Sequence, residues 1–225
     1  FSPNPGFFAT IFTDVTERKQ SEEKIMKANR LYAVISQVNQ AIVHLRGRDQ
    51  LLEEVCGIAI KFGEFRMAWI GLIDGEKQLV NPVTVAGFED GYLSVIRKIS
   101  ATNNPEGGGP TGTSIREGVY YVCNDIENDP NMVLWKDEAV KRGYRSSIAL
   151  PIKLFGKVIG AFSLYSSLLN FFDDDEVKLL EEVAYDISYA LGAIETEKEH
   201  REAVLALAES ENKFRTIVNS TSEAI

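Results

Sequence analysis

Residues 142–165 read RGYRSSIALPIKLFGKVIGAFSLY. Two apolar runs, 148–154 and 158–165, flank a short turn at Phe155-Gly156-Lys157. Both runs are rich in β-branched and aromatic residues, and neither alternates apolar with polar. A half-solvated strand would alternate, so the pattern predicts central strands covered on both faces and joined by a tight hairpin. Lys153, Lys157, Pro151, Gly156 and Gly160 punctuate the stretch, which argues against a membrane-spanning helix.

Working outward, 67–73 (MAWIGLI) and 79–85 (LVNPVTV) read as two more strands around the turn Asp74-Gly75-Glu76. Trp69 and Gly71 share one face; Ala68, Ile70 and Leu72 share the other. Pro82 predicts an edge strand or a bulge. Short helices are expected near 90–99, 113–117 and 135–142, the last two stopped by Gly118 and Gly143, and a strand at 119–123. The glycine-rich run 105–113 lacks the Lys-Ser/Thr of a Walker loop and any Rossmann spacing, so it is expected to be a flexible loop over a pocket mouth. Helices are predicted at 17–45 and 49–62, with Asp49 as N-cap of the second.

The last long helix begins at Asp173, a plausible N-cap with Glu176 three residues on. Val177, Leu180, Ala184, Ile187, Leu191 and Ile194 alternate at spacings of three and four, and the register continues through Lys198, Arg201, Leu205 and Ala208. A helix on its own sheet accounts for positions up to about Leu191. The continuation past Glu195 predicts a coiled seam with another helix.

The 225 residues carry a formal charge of −9 and are 44% hydrophobic, enough for one ordinary domain with extensions. The acidic balance disfavours nucleic acid and anionic membrane surfaces as partners. Cys56 and Cys123 match no zinc or redox spacing, and only His44 and His200 offer imidazole, so no metal site is expected. The N-terminus shows no signal peptide, and a cytoplasmic location is expected.

The pieces MAWIGLID, GPTGTSIREGVYYVCNDIENDP and RGYRSSIALPI…GKVIGAFSLYS, in that order and spacing, resemble a GAF domain. The resemblance implies an α+β fold: an antiparallel six-stranded sheet with long N- and C-terminal helices on one face, and short helices and loops over a small-ligand pocket on the other. FFATIFTDVTERK at 7–19 resembles the last strand and exit motif of a PAS domain, and 209–225 resembles the opening of another. The expected organisation is a PAS remnant at 1–19, a connecting signalling helix at 20–48, the GAF domain at 49–194, a coiled-coil linker at 195–210 and a following PAS domain from 211.

By the same resemblance, Trp69, Asn124, Asp125, Arg145, Ser147, Ser163 and Tyr165 are placed to line the pocket, with Arg145 expected to pair with Asp125 or Asp129. A hydroxyl in a doubly covered strand needs a partner, whether ligand or backbone. The dimer seam is expected at Val177, Leu180, Ala184, Ile187, Leu191 and Ile194, pairing N- and C-terminal helices between subunits. Cys123 is followed by Asn124 rather than the His of bilin-binding members, and the cyclic-nucleotide signature is missing. His44 lies outside the expected pocket, which argues against haem, and Cys123 alone does not make the cysteine set of a methionine sulfoxide reductase. His200 lacks the Glu and Pro of a kinase phospho-acceptor motif. No catalytic residue or cofactor is assigned. The expected function is a sensory module that binds an unidentified small molecule and relays the signal to an output domain, with a two-component sensor histidine kinase as the expected parent protein; the alternatives are a ligand-free dimerisation spacer and a GAF-type redox enzyme.

Overall fold

The structure is a computed structural model that describes Asp14 and residues 16–222 other than Arg97. The strand expected at 7–12 lies outside the described residues. α1 spans Thr16–His44 and α2 spans Arg48–Lys61. β1 (Met67–Ile73), β2 (Leu79–Gly87), α3 (Tyr92–Val95) and β3 (Ile99–Ser100) follow. Then come α4 (Pro110–Glu117), β4 (Tyr121–Cys123), α5 (Lys136–Lys141), β5 (Ser146–Leu154), β6 (Lys157–Ser166) and α6 (Asp174–Ser222).

The strands form one six-stranded sheet in the order β3-β2-β1-β6-β5-β4, with every pair antiparallel. The opening hairpin becomes the sheet's centre. Its turn places Phe155 at φ 49° and Gly156 at φ 81°, the two left-handed residues a tight hairpin needs. Pro82 sits beyond the short pairing of β3, at a register shift where it opposes Gly71. The bulge removes the need for its missing N–H.

Period-two alternation sorts the strands onto two cores. Ala68, Ile70, Ile148, Leu150, Ile152, Phe162 and Leu164 face the helices. α2 lies over β1 and β2, and α6 over β5, while α1 packs chiefly on α2 and α6. Helix α2 starts at Arg48 after Gly47, so Asp49 is inside the first turn rather than its cap. Asp173 does cap α6, accepting from Glu176 N at 3.0 Å.

The α1–α6 contact is anchored by a buried ion pair. Arg30 Nη2 touches Glu176 Oε1, and the Arg30 Nη1 donates to Gly63 O at 3.1 Å. The guanidinium lies over the Phe171 ring at 4.6 Å. Lys27 reaches Asp173 at 3.1 Å. Because residues 27 and 30 meet 173 and 176 in step, the two helices run parallel.

The expected dimer seam requires correction. Val177, Leu180, Ala184, Ile187 and Leu191 are buried within the chain's own core, and Ile194 is half-buried against it. Their apolar surface is spent on α1 and the sheet. From Thr196 to Lys213, α6 is exposed on all sides, leaving Val204, Leu205 and Leu207 uncovered. The helix continues to Ser222 with no break near 210. Among the described residues, no helix is long and apolar enough to cross a membrane.

Candidate functional site

The other sheet face carries a second core built from Met67, Trp69, Tyr165 and Cys123, closed by Tyr92, Ile115, Met132, Trp135 and Tyr144. Strand register makes two rows across it. Met67, Tyr165, Ser147 and Cys123 stand side by side on β1, β6, β5 and β4; Trp69, Ser163, Ala149 and Tyr121 form the next row. Helix α4 lies over these rows. Its Thr111 and Ser114, three residues apart, turn the same way. Thr111 Oγ1 is 3.2 Å from Ser163 Oγ. Ser114 is fully buried, with no partner for its hydroxyl.

Among the described residues, three side-chain polar atoms on this side are buried without a hydrogen-bond partner: Trp69 Nε1, Ser114 Oγ and Ser147 Oγ. An unpaired buried polar group costs about 1–3 kcal/mol. The Trp69 indole N–H faces the Tyr165 hydroxyl closely enough to favour its ionised form, but does not reach hydrogen-bond geometry. Burial outweighs that effect and pushes the Tyr165 hydroxyl up to about 12. Tyr165 meets Tyr144 at 4.9 Å and Tyr92 at 5.8 Å between ring centroids, and Tyr92 meets Tyr144 edge-on at 5.2 Å. Tyr144 donates to Phe88 O.

The pocket implied by the GAF resemblance is nearly closed. The remaining cavity, bounded by Tyr92, Tyr165, Met132, Trp135 and residues 109–112, measures about 10 Å³. That is room for roughly one water. The glycine-rich run does roof the site, but it is packed rather than loose. A Cβ on Gly109 would lie 2.4 Å from the Trp135 ring, and one on Gly112 would lie 2.6 Å from the carbonyls of Gly107 and Ser100.

Of the expected lining residues, Trp69, Ser147, Ser163 and Tyr165 share this face. Asn124, Asp125 and Arg145 have other work. Asn124 Nδ2 donates to Phe172 O at 2.9 Å, and its Oδ1 accepts from Phe172 N at 3.1 Å, so the side chain fastens the strand–helix connection. Asp125 accepts from Asn128 Nδ2 at 2.8 Å. Arg145 pairs with Glu127 at 2.8 Å, rather than with Asp125 or Asp129. These three follow or precede the strands by one or two residues, where period-two alternation no longer fixes direction. Sequence reasoning missed Tyr92, Thr111, Ser114, Trp135 and Tyr144; only the glycine-rich loop before α4 signalled that this segment covers the site.

Neither thiol is poised for nucleophilic work. Burial pushes Cys56 up to about 12 on the helix side of the sheet. Burial, with the hydrogen bond and charge of Asp129 added, pushes the Cys123 thiol well up. Among the described residues, no group of three or more His, Cys, Asp or Glu side chains is placed to hold a metal ion.

A larger open groove of about 1310 Å³ lies outside, between α6 and the hairpin turn, with Phe155, Tyr185 and Tyr189 exposed along it. Its inner hydroxyl, Ser188 Oγ, is already engaged by Lys153 N at 3.0 Å and Ala184 O at 2.7 Å. The orphaned groups lie on the opposite side of the sheet, where Trp69 and Ser147 share a face, and none of the three lines the residual cavity.

Comparison with known proteins agrees with this geometry. The GAF domain profile matches residues 46–192. The chain is 26% identical over 216 residues to the methyl sulfide methyltransferase-associated sensor of Methanosarcina acetivorans, covering 96% of this chain but only 20% of that protein. It thus spans about a fifth of that relative's length. It is also 26% identical over 142 residues to GAF domain-containing protein A of Dictyostelium discoideum, covering 62% of this chain and 80% of that one. Among solved structures, the free methionine-R-sulfoxide reductase of Neisseria meningitidis matches with a TM-score of 0.62 at 18% identity, covering 74% of this chain and 91% of that one. The GAF domain of a phosphoenolpyruvate-protein phosphotransferase from Coxiella burnetii matches with a TM-score of 0.62 at 14% identity, covering 77% and 98%. With the profile spanning the sheet, its helical cover and the α4 site, the chain belongs to the GAF domain family.

Proposed function

We propose that this chain is a cytoplasmic sensory module that binds a small molecule between α4 and the sheet and relays occupancy through α1 and α6 to an output domain. The observation that carries the reading is the set of buried, unpartnered polar atoms on Trp69, Ser114 and Ser147. Native interiors rarely leave such groups orphaned, and a ligand that pairs them repays the cost. The relay is supported by Asn124, which ties the end of β4 to Phe172, and by Arg30, which ties α6 to α1. The M. acetivorans relative is named a sensor. The proposed parent is a multi-domain protein, with PAS domains on either side and a two-component histidine kinase as its output.

The module acts as a homodimer through its N- and C-terminal helices. The pairing surface starts where the chain's own core ends, on the exposed part of α6 that carries Val204, Leu205 and Leu207. No catalytic residue is assigned. Native mass spectrometry of the freshly purified protein, with a thermal-shift screen of a metabolite library, tests the reading. A bound mass or a reproducible shift is expected. A clean, unresponsive protein contradicts sensing and favours a ligand-free dimerisation spacer, the reading the closed cavity supports.

A further inference from the structure

We infer that the outer groove between α6 and the β5–β6 turn receives a basic amphipathic helix of a partner protein. This surface is separate from the ligand site proposed above and goes beyond that reading.

Phe155 gives the first sign. It sits in the hairpin turn at φ 49°, where Gly, Asn or Asp fits at less cost, and it is 68% exposed. A strained backbone and a wetted ring do little for the isolated domain, and strain of this kind gathers at functional positions. The ring is held in place: a Cβ on Gly192 would lie 3.6 Å from it, so it forms one wall of the groove against α6. Tyr185 and Tyr189, 70% and 71% exposed, stand one turn apart along the same groove, and Val119 borders it. Clustered aromatic side chains are the usual anchors of protein interfaces.

Size and lining select a helix. At about 1310 Å³ the groove exceeds the ~300–1,000 Å³ of small-molecule sites. Its lining runs along α6 from Glu181 to His200, about 28 Å. Ala184, Ser188, Gly192 and Thr196 recur at every fourth position of that lining. A row of small side chains lets a second helix pack at close range.

Charge selects the partner. Glu181, Glu182 and Glu197 line the groove against Lys153 and His200, and none of the three carboxylates forms an ion pair among the described residues. The charged residues next in sequence to the lining offset one another. Glu117 pairs with Arg116 and Glu195 with Lys198, while Lys157 balances Asp186 and Arg201 balances Glu199. A helix with Lys or Arg beside its apolar face meets the unpaired carboxylates. A second copy of this chain is the poorer fit. Its exposed helix from Thr196 to Lys213 has more Glu than Lys and Arg, and Lys27 and Arg30 of α1 are already paired with Asp173 and Glu176.

Fluorescence anisotropy tests this with two labelled helical peptides of about 20 residues, matched to the groove. Both carry a leucine face; the polar face is Lys in one and Glu in the other. The Lys peptide is expected to bind the full chain saturably and to weaken as salt rises. The Glu peptide should bind at least about tenfold more weakly. Phe155→Asn and Tyr189→Ala should each weaken the Lys peptide about tenfold, with Phe155→Asn raising the melting temperature of the free chain. Tyr32→Ala, at an exposed tyrosine of α1 outside the groove, should bind like the parent.

Equal or tighter binding of the Glu peptide overturns the inference, as does parental affinity in either groove variant or an equal loss in Tyr32→Ala. Silence from both peptides also overturns it. Sedimentation of Tyr189→Ala gives the remaining outcome: if the variant dissociates a dimer that the parent forms, the groove is a contact between copies and the separate partner falls. The metabolite screen reads the ligand site independently of all of these.

Discussion

Replacing Glu176 with Gln tests the join between the two long helices. The Glu176 side chain is 2% exposed and that of Arg30 is 11% exposed. Gln keeps the shape, so no cavity confuses the result. What changes is that a buried guanidinium loses the carboxylate in contact with it, while the charges of Glu64 and Asp173 still act on it. Removing one partner of a buried pair costs about 3–5 kcal/mol. Arg30 keeps its bond to Gly63 O and its place over Phe171, which points to the lower end of that range. About 3 kcal/mol in a chain of this size corresponds to a fall of about 6–12 °C in melting temperature. Urea and thermal unfolding followed by circular dichroism would measure it. The double change Arg30→Leu, Glu176→Leu removes both charges and should be within about 1 kcal/mol of the parent. A loss below about 1 kcal/mol for Glu176→Gln, or a double variant as unstable as the sum of its singles, would refute the claim that this pair is coupled and desolvated.

Other outcomes follow from the same contacts. Asn124→Ala removes both side-chain bonds to Phe172 and should cost about 1–3 kcal/mol, with faster amide exchange over 172–177; unchanged exchange there would remove Asn124 from the relay. Phe155→Asn replaces a bulky left-handed residue with one that tolerates the turn, and should stabilise by about 1 kcal/mol; destabilisation would mean that the ring's contact over Gly192 outweighs the backbone strain. Stability should also fall in alkali. Cys56 rises from 9.0 and Tyr165 from 10.0, both to about 12, so the folded chain holds these protons more tightly than the unfolded one. Their contribution is complete below the ordinary values and is lost as pH climbs from about 9 to 12. Unfolding free energies measured across that range should decline steadily; a flat profile would contradict the burial of these groups.

Much of the fold was legible because burial on both faces leaves an unmistakable mark. The hairpin 148–165 and β1 could be read directly, down to Trp69 and Ile70 lying on opposite faces. The seam on α6 could not. Val177, Leu180 and Ile187 recur at spacings that serve equally for a helix on its own sheet and for a coiled pair, and here the sheet and α1 take them. The site was half legible. The resemblance put Trp69, Ser147, Ser163 and Tyr165 together, and they share one sheet face, but Asn124 and Arg145 lie beyond the strand ends, where alternation lapses. Ser114 and Tyr144 gave no signal, because neither residue type nor spacing reveals that a short helix will press one hydroxyl onto a sheet. The glycine-rich roof also misled in one respect: close backbone packing, rather than mobility, explains Gly109 and Gly112.

The account stands most directly on where a bound compound sits. Hydrogen exchange of the full chain, with and without the tightest compound from the screen, would locate it. Protection is expected at Trp69 and 111–114, with a coupled change over 172–176 at the start of α6. Protection confined to the outer groove at 185–196, or no protection on the α4 side of the sheet, would contradict it.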